Sequence, residues 1–185
     1  MPEWLKTVID AFTKFAPLGA VIVFVVALAQ YIRSEAWKKT EFVAKLYKEF
    51  SENEDCKRAL WLLQGDNRTL YYKDGDKLVS YPYDYDFLVT TLTDALDNKV
   101  LTPAQLHIRD TLDTFFVYLE QFERAIQRKL VSQNDVYPYF GYWIAILNGD
   151  PDMKTPKPVV DALEKYIKDA GFDDVEEFLK RKWVT

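Results

Sequence analysis

Residues 15–32, FAPLGAVIVFVVALAQYI, are apolar apart from Gln30. A helix over them rises about 1.5 Å per residue and reaches roughly 27 Å, close to the thickness of a bilayer's hydrocarbon core. A helix that borders water keeps one polar face, and this segment has none. The pattern predicts a transmembrane helix over 16–32. Two other readings stay open: a cleaved signal peptide, since Ala27-Leu28-Ala29 has the form of a cleavage site, and a buried core helix. Against the first, the preceding stretch carries Glu3 and Asp10 as well as Lys6 and Lys14, unlike a short basic leader.

Flanking cations set the orientation of a span, because Lys and Arg resist translocation. Lys6 and Lys14 precede the segment, whereas Arg33, Lys38, Lys39, Lys45 and Lys48 follow it. The N-terminus is expected outside and the C-terminal bulk in the cytoplasm. Within 1–15, Trp4, Leu5, Val8, Ile9 and Phe12 fall at helical spacing opposite Glu3, Lys6, Asp10 and Lys14, which predicts an amphipathic interfacial helix or an N-terminal extension of the span. Trp4, Tyr31 and Trp37 stand where a membrane-interface belt is expected. Ala16, Gly19 and Ala20 are small residues of the kind that let helices associate in lipid.

After the span the chain continues without a breaker. Ile32, Ala36, Val43, Leu46 and Phe50 recur on steps of four and three, interrupted by Lys39, which predicts a stalk helix over 33–50. Ser51-Glu-Asn-Glu has the form of a capping box and opens the cytosolic domain over 51–148, with a helix through Cys56, Ala59, Leu60, Leu62 and Leu63 ending near Gly65. A hairpin comes next, near 70–81, with Asp74-Gly75 supplying the turn. Helical spacing returns through Phe87, Leu88, Thr91, Leu92 and Ala95. Thr102-Pro103 then starts a central helix carrying Ile108, Leu112, Phe115, Leu119, Phe122, Ile126 and Leu130. Ser132 or Asn134 caps a further helix with Val136, Tyr139, Phe140, Trp143, Ile144 and Leu147. Residues 149–185, opening on a proline-rich stretch, form a C-terminal helical appendage of two short helices, set to wrap the core or dock a partner. The fold class is mainly α: a single transmembrane helix continuing into a cytosolic helical bundle with one small β-hairpin.

Chemistry is sparse. The formal net charge of −5 argues against nucleic acid as the main partner. Cys56 stands alone, so no intramolecular disulfide can form, in keeping with a reducing compartment. A single histidine, His107, and a single cysteine rule out clustered zinc ligands, and no metal or cofactor is expected. Glycine-rich phosphate loops are absent. A Cys56 and His107 pair lacks any local signature, so no catalytic residue is assigned and the chain is not read as an enzyme. Asp84-Tyr85-Asp86 has a magnesium-binding look, with helix capping as the simpler role. Arg109, Arg124 and Arg128 on the central helix are candidates for an anionic-ligand pocket, against the simpler reading of a solvated, ion-paired face. HEPN-type ribonucleases, helical bundles with an R-x(4 to 6)-H motif, are excluded: Val100, Leu101 and Thr102 stand where the arginine is required.

The stalk Arg-Ser-Glu-Ala-Trp-Lys-Lys-Thr-Glu-Phe-Val-Ala-Lys-Leu-Tyr-Lys-Glu-Phe, the central Leu-Asp-Thr-Phe-Phe-Val-Tyr-Leu-Glu-Gln-Phe-Glu-Arg and the later Val-Tyr-Pro-Tyr-Phe-Gly-Tyr-Trp-Ile carry a resemblance across residues 17–147. The chain resembles uncharacterised bacterial single-pass membrane proteins with a helical cytoplasmic domain. Some proteins of similar layout serve in phage defence, including the pore-forming accessory of type VI-B CRISPR systems. The resemblance implies a bacterial protein of the inner membrane. With the apolar segment and its small residues, the expected function is a membrane-anchored, self-associating interaction or effector protein, with the lipid bilayer and a cytoplasmic protein as partners. The resemblance brings no catalytic residues. A membrane-tethered nucleotide sensor or enzyme, and a structural or assembly subunit of a larger membrane complex, are the alternative functions.

Overall fold

A computed structural model describes residues 2–65, 68–74, 77–153 and 155–183; the side chains of residues 5–22 and of Asp74 lie outside the described set. The chain divides into two units, Met1–Phe42 and Val43–Thr185.

In the first unit the backbone is helical from Glu3 onward, as part of α1 (Glu3–Glu52). The helix passes Pro17 without a break, so the backbone of residues 3–15 is continuous with the helix that follows. Val23, Phe24, Val25, Val26, Leu28, Tyr31 and Ile32 are all exposed. Consecutive helical residues are set about 100° apart, so residues 23–26 alone carry apolar side chains round the whole circumference. Trp4, Tyr31 and Trp37 are exposed as well. Among the described residues no helix is long and apolar enough to cross a membrane. The expected span has described side chains only over 23–32, and Ala16, Gly19 and Ala20 lie outside them.

The second unit is a helical bundle with one antiparallel hairpin. Only the end of the expected stalk seam is buried: Val43 and Phe50 lie in the core, whereas Ile32 and Ala36 are exposed. Phe50 packs among Phe115, Tyr118, Phe122 and Phe140 with ring centroids 5.1–6.5 Å apart. α1 runs two residues past the expected boundary. The Ser51 hydroxyl donates back to the Lys48 carbonyl at 3.0 Å and so continues the helix. Asn53 is the cap of α2 (Glu54–Gln64), its Oδ1 accepting from the Asp55 and Cys56 amides at 2.9 and 3.0 Å.

α2 ends on Gly65, whose φ of +71° suits a residue without a Cβ. A Cβ there would also sit 1.8 Å from the Tyr85 ring. Two tyrosines fasten the chain at this point: the Tyr83 hydroxyl donates to Leu62 O at 2.6 Å and the Tyr85 hydroxyl to Leu63 O at 3.1 Å. Both carbonyls belong to the last turn of α2, where partners within the helix run out. The hairpin of β1 (Arg68–Asp74) and β2 (Lys77–Tyr83) is held against the bundle by these bonds, with Leu70 opposite Tyr81 and Tyr72 opposite Val79. Gly75 of the expected turn lies outside the described residues.

α3 (Tyr85–Leu96) is capped by Asp84, whose Oδ1 accepts from the Phe87 amide at 2.7 Å. α4 (Pro103–Gln127) is the central helix, opened by a reciprocal Thr102–Gln105 capping box with Pro103 in the first turn. Ile108, Leu112, Phe115, Leu119, Phe122 and Ile126 are buried along it as their spacing predicts, while Leu130 lies beyond its end and is exposed. α5 (Gln133–Leu147) is capped by Ser132.

The expected C-terminal appendage is part of the same core. α6 (Lys157–Asp169) and α7 (Asp173–Lys180) bury Val159, Leu163, Tyr166, Ile167, Val175 and Phe178 within it. α7 starts after Phe172 without a side-chain cap, and Asp173 and Asp174 stand in its first turn. Beyond α7, Arg181 reaches back to Glu123 on α4, which is 0% exposed. Its Nε donates to Oε2 at 2.6 Å and its Nη2 to Oε1. A bidentate fork satisfies both oxygens of a carboxylate that would be costly to bury alone.

Candidate functional site

The sequence candidates on α4 do not converge. Arg109 and Arg124 are fifteen residues apart, about 22 Å along the axis at 1.5 Å per residue. Each is engaged by carboxylates: Arg109 Nη2 lies 2.9 Å from Asp110, and Arg124 lies 2.6 Å from Asp174 and 3.1 Å from Glu120. Arg128 is the C-cap residue of the helix. Asp84 is occupied as a helix cap, and no cluster of three potential metal ligands occurs among the described residues.

Cys56 is fully buried, and desolvation pushes its thiol up to about 12, so it stays protonated at neutral pH. A reactive cysteine needs the opposite environment. His107 is stacked on Tyr72, with ring centroids 5.2 Å apart, and its pKa is lowered from the ordinary value by burial first and by the Arg58 charge second. The imidazole is therefore neutral at pH 7 and offers one donor and one acceptor nitrogen.

His107 lines a cleft of about 420 Å³ between α2, the hairpin and α4. Glu54, Arg58 and Trp61 come from α2 on steps of four and three, which sets them along one face. Arg68, Thr69, Tyr71 and Tyr81 come from the strands, and Thr111 stands one turn beyond His107 on α4. Leu62 and Leu70 are the other described residues of the lining. Arg58 is held at 3.0 Å by Asp55, and Glu54 at 2.7 Å by Lys57. Trp61 and Tyr71 keep 48% and 56% of their surfaces exposed. Burial pushes the Tyr81 hydroxyl up to about 12, leaving it a neutral group at physiological pH.

Arg58, Trp61, Arg68 and Tyr71 were not singled out from the sequence. They belong to a helix and a strand whose proximity depends on the Tyr83 and Tyr85 hydroxyl bonds to the end of α2. The tyrosines at the end of β2 and the start of α3 were the available signal, since a buried tyrosine hydroxyl seeks an acceptor.

A second cleft, of about 340 Å³, lies among α5, α6 and α7, with Glu164, Glu176 and Lys180 at its rim. Lys180 is paired with Glu176, and among the described residues no aromatic ring lines this cleft. Comparison with protein-family models, with curated proteins and with solved structures gives no match in any of the three.

Proposed function

We propose that the protein is a single-pass, inner-membrane-anchored interaction protein of bacterial type, whose C-terminal helical unit works in the cytoplasm and which self-associates. The observation that carries the reading is the run of exposed apolar residues at 23–32, continuous in sequence with the apolar residues from Phe15 onward. Exposed apolar surface of that extent needs a cover, and a cover on every side of a helix is what a bilayer supplies. The excess of Lys and Arg after the segment supports an N-out orientation. A place in antiphage defence rests on the resemblance in layout alone and belongs to the same proposal.

Protease treatment of intact and permeabilised spheroplasts tests anchor and orientation together. With a tag at each end, the N-terminal tag is removed in intact spheroplasts and the C-terminal tag only after permeabilisation. Loss of both tags, or of neither, in intact spheroplasts overturns the orientation. Self-association is tested at the small residues: Gly19→Leu with Ala20→Leu weakens an oligomer measured in detergent if the helix carries the contact. An unchanged oligomer removes this segment from the assembly.

A further inference from the structure

Among the described residues, every other α-helix that contributes to the second unit shows at least one charged side chain to solvent, whereas α5 shows none. Its exposed positions are Asn134, Pro138, Tyr139 and Tyr142. Its single charged residue, Asp135, is taken up by the capping box with Ser132, whose amide and hydroxyl both donate to Oδ2 at 2.8 and 2.7 Å. We propose that this face of α5 is the docking surface for a second copy of the chain, α5 against α5 about a twofold axis near Tyr142. The inference rests on the self-association proposed above and names a surface for it.

Asn134, Pro138 and Tyr142 follow one another at steps of four and so lie along one line of the helix. Tyr139 stands beside that line, its ring 4.4 Å from the ring of Tyr47. Tyr142 is the more open of the two tyrosines, 51% exposed, and its ring meets Trp143 edge-on at 4.8 Å. Tyrosine gives large contact area for little conformational entropy, and the centres of protein interfaces are rich in it and poor in charge.

Charge selects a second copy as the occupant. The chain carries a net charge of −5, so two copies repel, and a twofold contact sets each group close to its own counterpart. A patch of one sign cannot meet itself, whereas an uncharged patch can. A tyrosine hydroxyl both donates and accepts, so it can bond to the same hydroxyl of another copy; an ammonium, which only donates, cannot. Nucleic acid or an anionic lipid surface would find no cation on this helix. The size of the face agrees. A helix of 15 residues is about 22 Å long and offers less than the roughly 800 Å² per partner of a stable interface. Such a contact suits copies already confined to one membrane, where effective concentration supplies what area does not.

Disulfide cross-linking of the full-length protein in membrane vesicles tests the surface. The native Cys56 is fully buried, so an introduced cysteine is the reactive one. Two copies of Tyr142→Cys beside a twofold axis come within disulfide reach, a Cα separation below about 7 Å. They are expected to give a cross-linked dimer at least about tenfold faster than Lys165→Cys, an exposed position on α6 that meets its counterpart only by chance. Tyr142→Glu sets like charges together at the axis. It is expected to weaken self-association, read by energy transfer between labelled copies in the same vesicles, at least about fivefold. Melting curves verify the fold, and should Tyr142→Glu fail to fold, the cross-linking rates decide alone. Equal rates at the two cysteine positions, or undiminished association of folded Tyr142→Glu, overturn the α5 contact while wild-type energy transfer leaves self-association standing. A cover of lipid or of a different protein on α5 gives that same result. Absence of energy transfer in the wild type overturns self-association and the α5 contact together.

Discussion

Helix α1 holds apolar residues in two different settings. Over 23–32 they are exposed on every side, whereas at Val43 and Phe50 they are spaced on one seam and buried, Phe50 against rings of α4 and α5. The second arrangement is that of a water-facing helix covering a core, with Lys45, Lys48 and Glu49 on the remaining exposed surface. The first has no polar side to turn outward. The difference teaches that continuity of helix says little about environment; the period of the apolar residues does.

Breaking the packed end should have the largest effect. Phe50→Ala removes a 1% exposed ring from the aromatic cluster and is expected to cost about 3–5 kcal/mol in denaturant unfolding. Next comes the far side of the same core. Arg181→Ala leaves the Glu123 carboxylate buried without its fork and is expected to cost about 3 kcal/mol, while Glu123→Leu combined with Arg181→Leu recovers most of the loss. A full cost in the double variant would show that the carboxylate was not the source.

The exposed end should respond in the opposite sense. Val26→Arg is expected to leave unfolding of the second unit unchanged and to oppose membrane insertion by roughly 3 kcal/mol, seen as a lower membrane-bound fraction. Loss of fold stability with unchanged membrane content would reverse the contrast between the two ends. Thr102→Ala, which removes one capping bond at the start of α4, is smaller, about 1 kcal/mol by thermal unfolding.

The smallest expected effect is a dependence on pH. Because burial depresses the His107 pKa, its contribution to stability is complete above the ordinary value of 6.5 and is lost as pH falls through the lower folded value. Half-buried Asp113 and Glu120 have raised values, desolvation being the first cause for each, so their ionisation costs stability as pH rises through the carboxylate range, the opposite trend. The difference between wild type and His107→Gln isolates the histidine. Parallel stability curves between pH 7.5 and 5 would remove its role.

Much of the bundle was legible because its signals are local. Thr102-Pro103 and Ser132 cap the helices they were expected to open, and the four-and-three steps along α4 mark its buried side from Ile108 to Ile126. The start of α2 was misplaced because Ser51 and Asn53 are both capping residues; what separates them is that the serine hydroxyl found a carbonyl within the preceding turn. The C-terminal helices could equally be set on the core or on a partner by their amphipathic spacing, because that spacing does not say which surface receives them. Arg181 and Glu123, 58 residues apart, decide part of that, and no short-range pattern announces such a pair. The candidate site was legible least. Charge spacing along one helix suggested Arg109, Arg124 and Arg128, but a pocket needs side chains from several elements, and the cleft draws Arg58, Arg68 and His107 from three.

The central claim, that the apolar segment resides in a bilayer, is met most directly by extracting membranes from expressing cells with alkaline carbonate, which strips peripheral proteins and leaves spanning ones. The full-length protein is expected to stay in the membrane pellet and to be released by detergent. Recovery of the intact protein in the carbonate supernatant would contradict it.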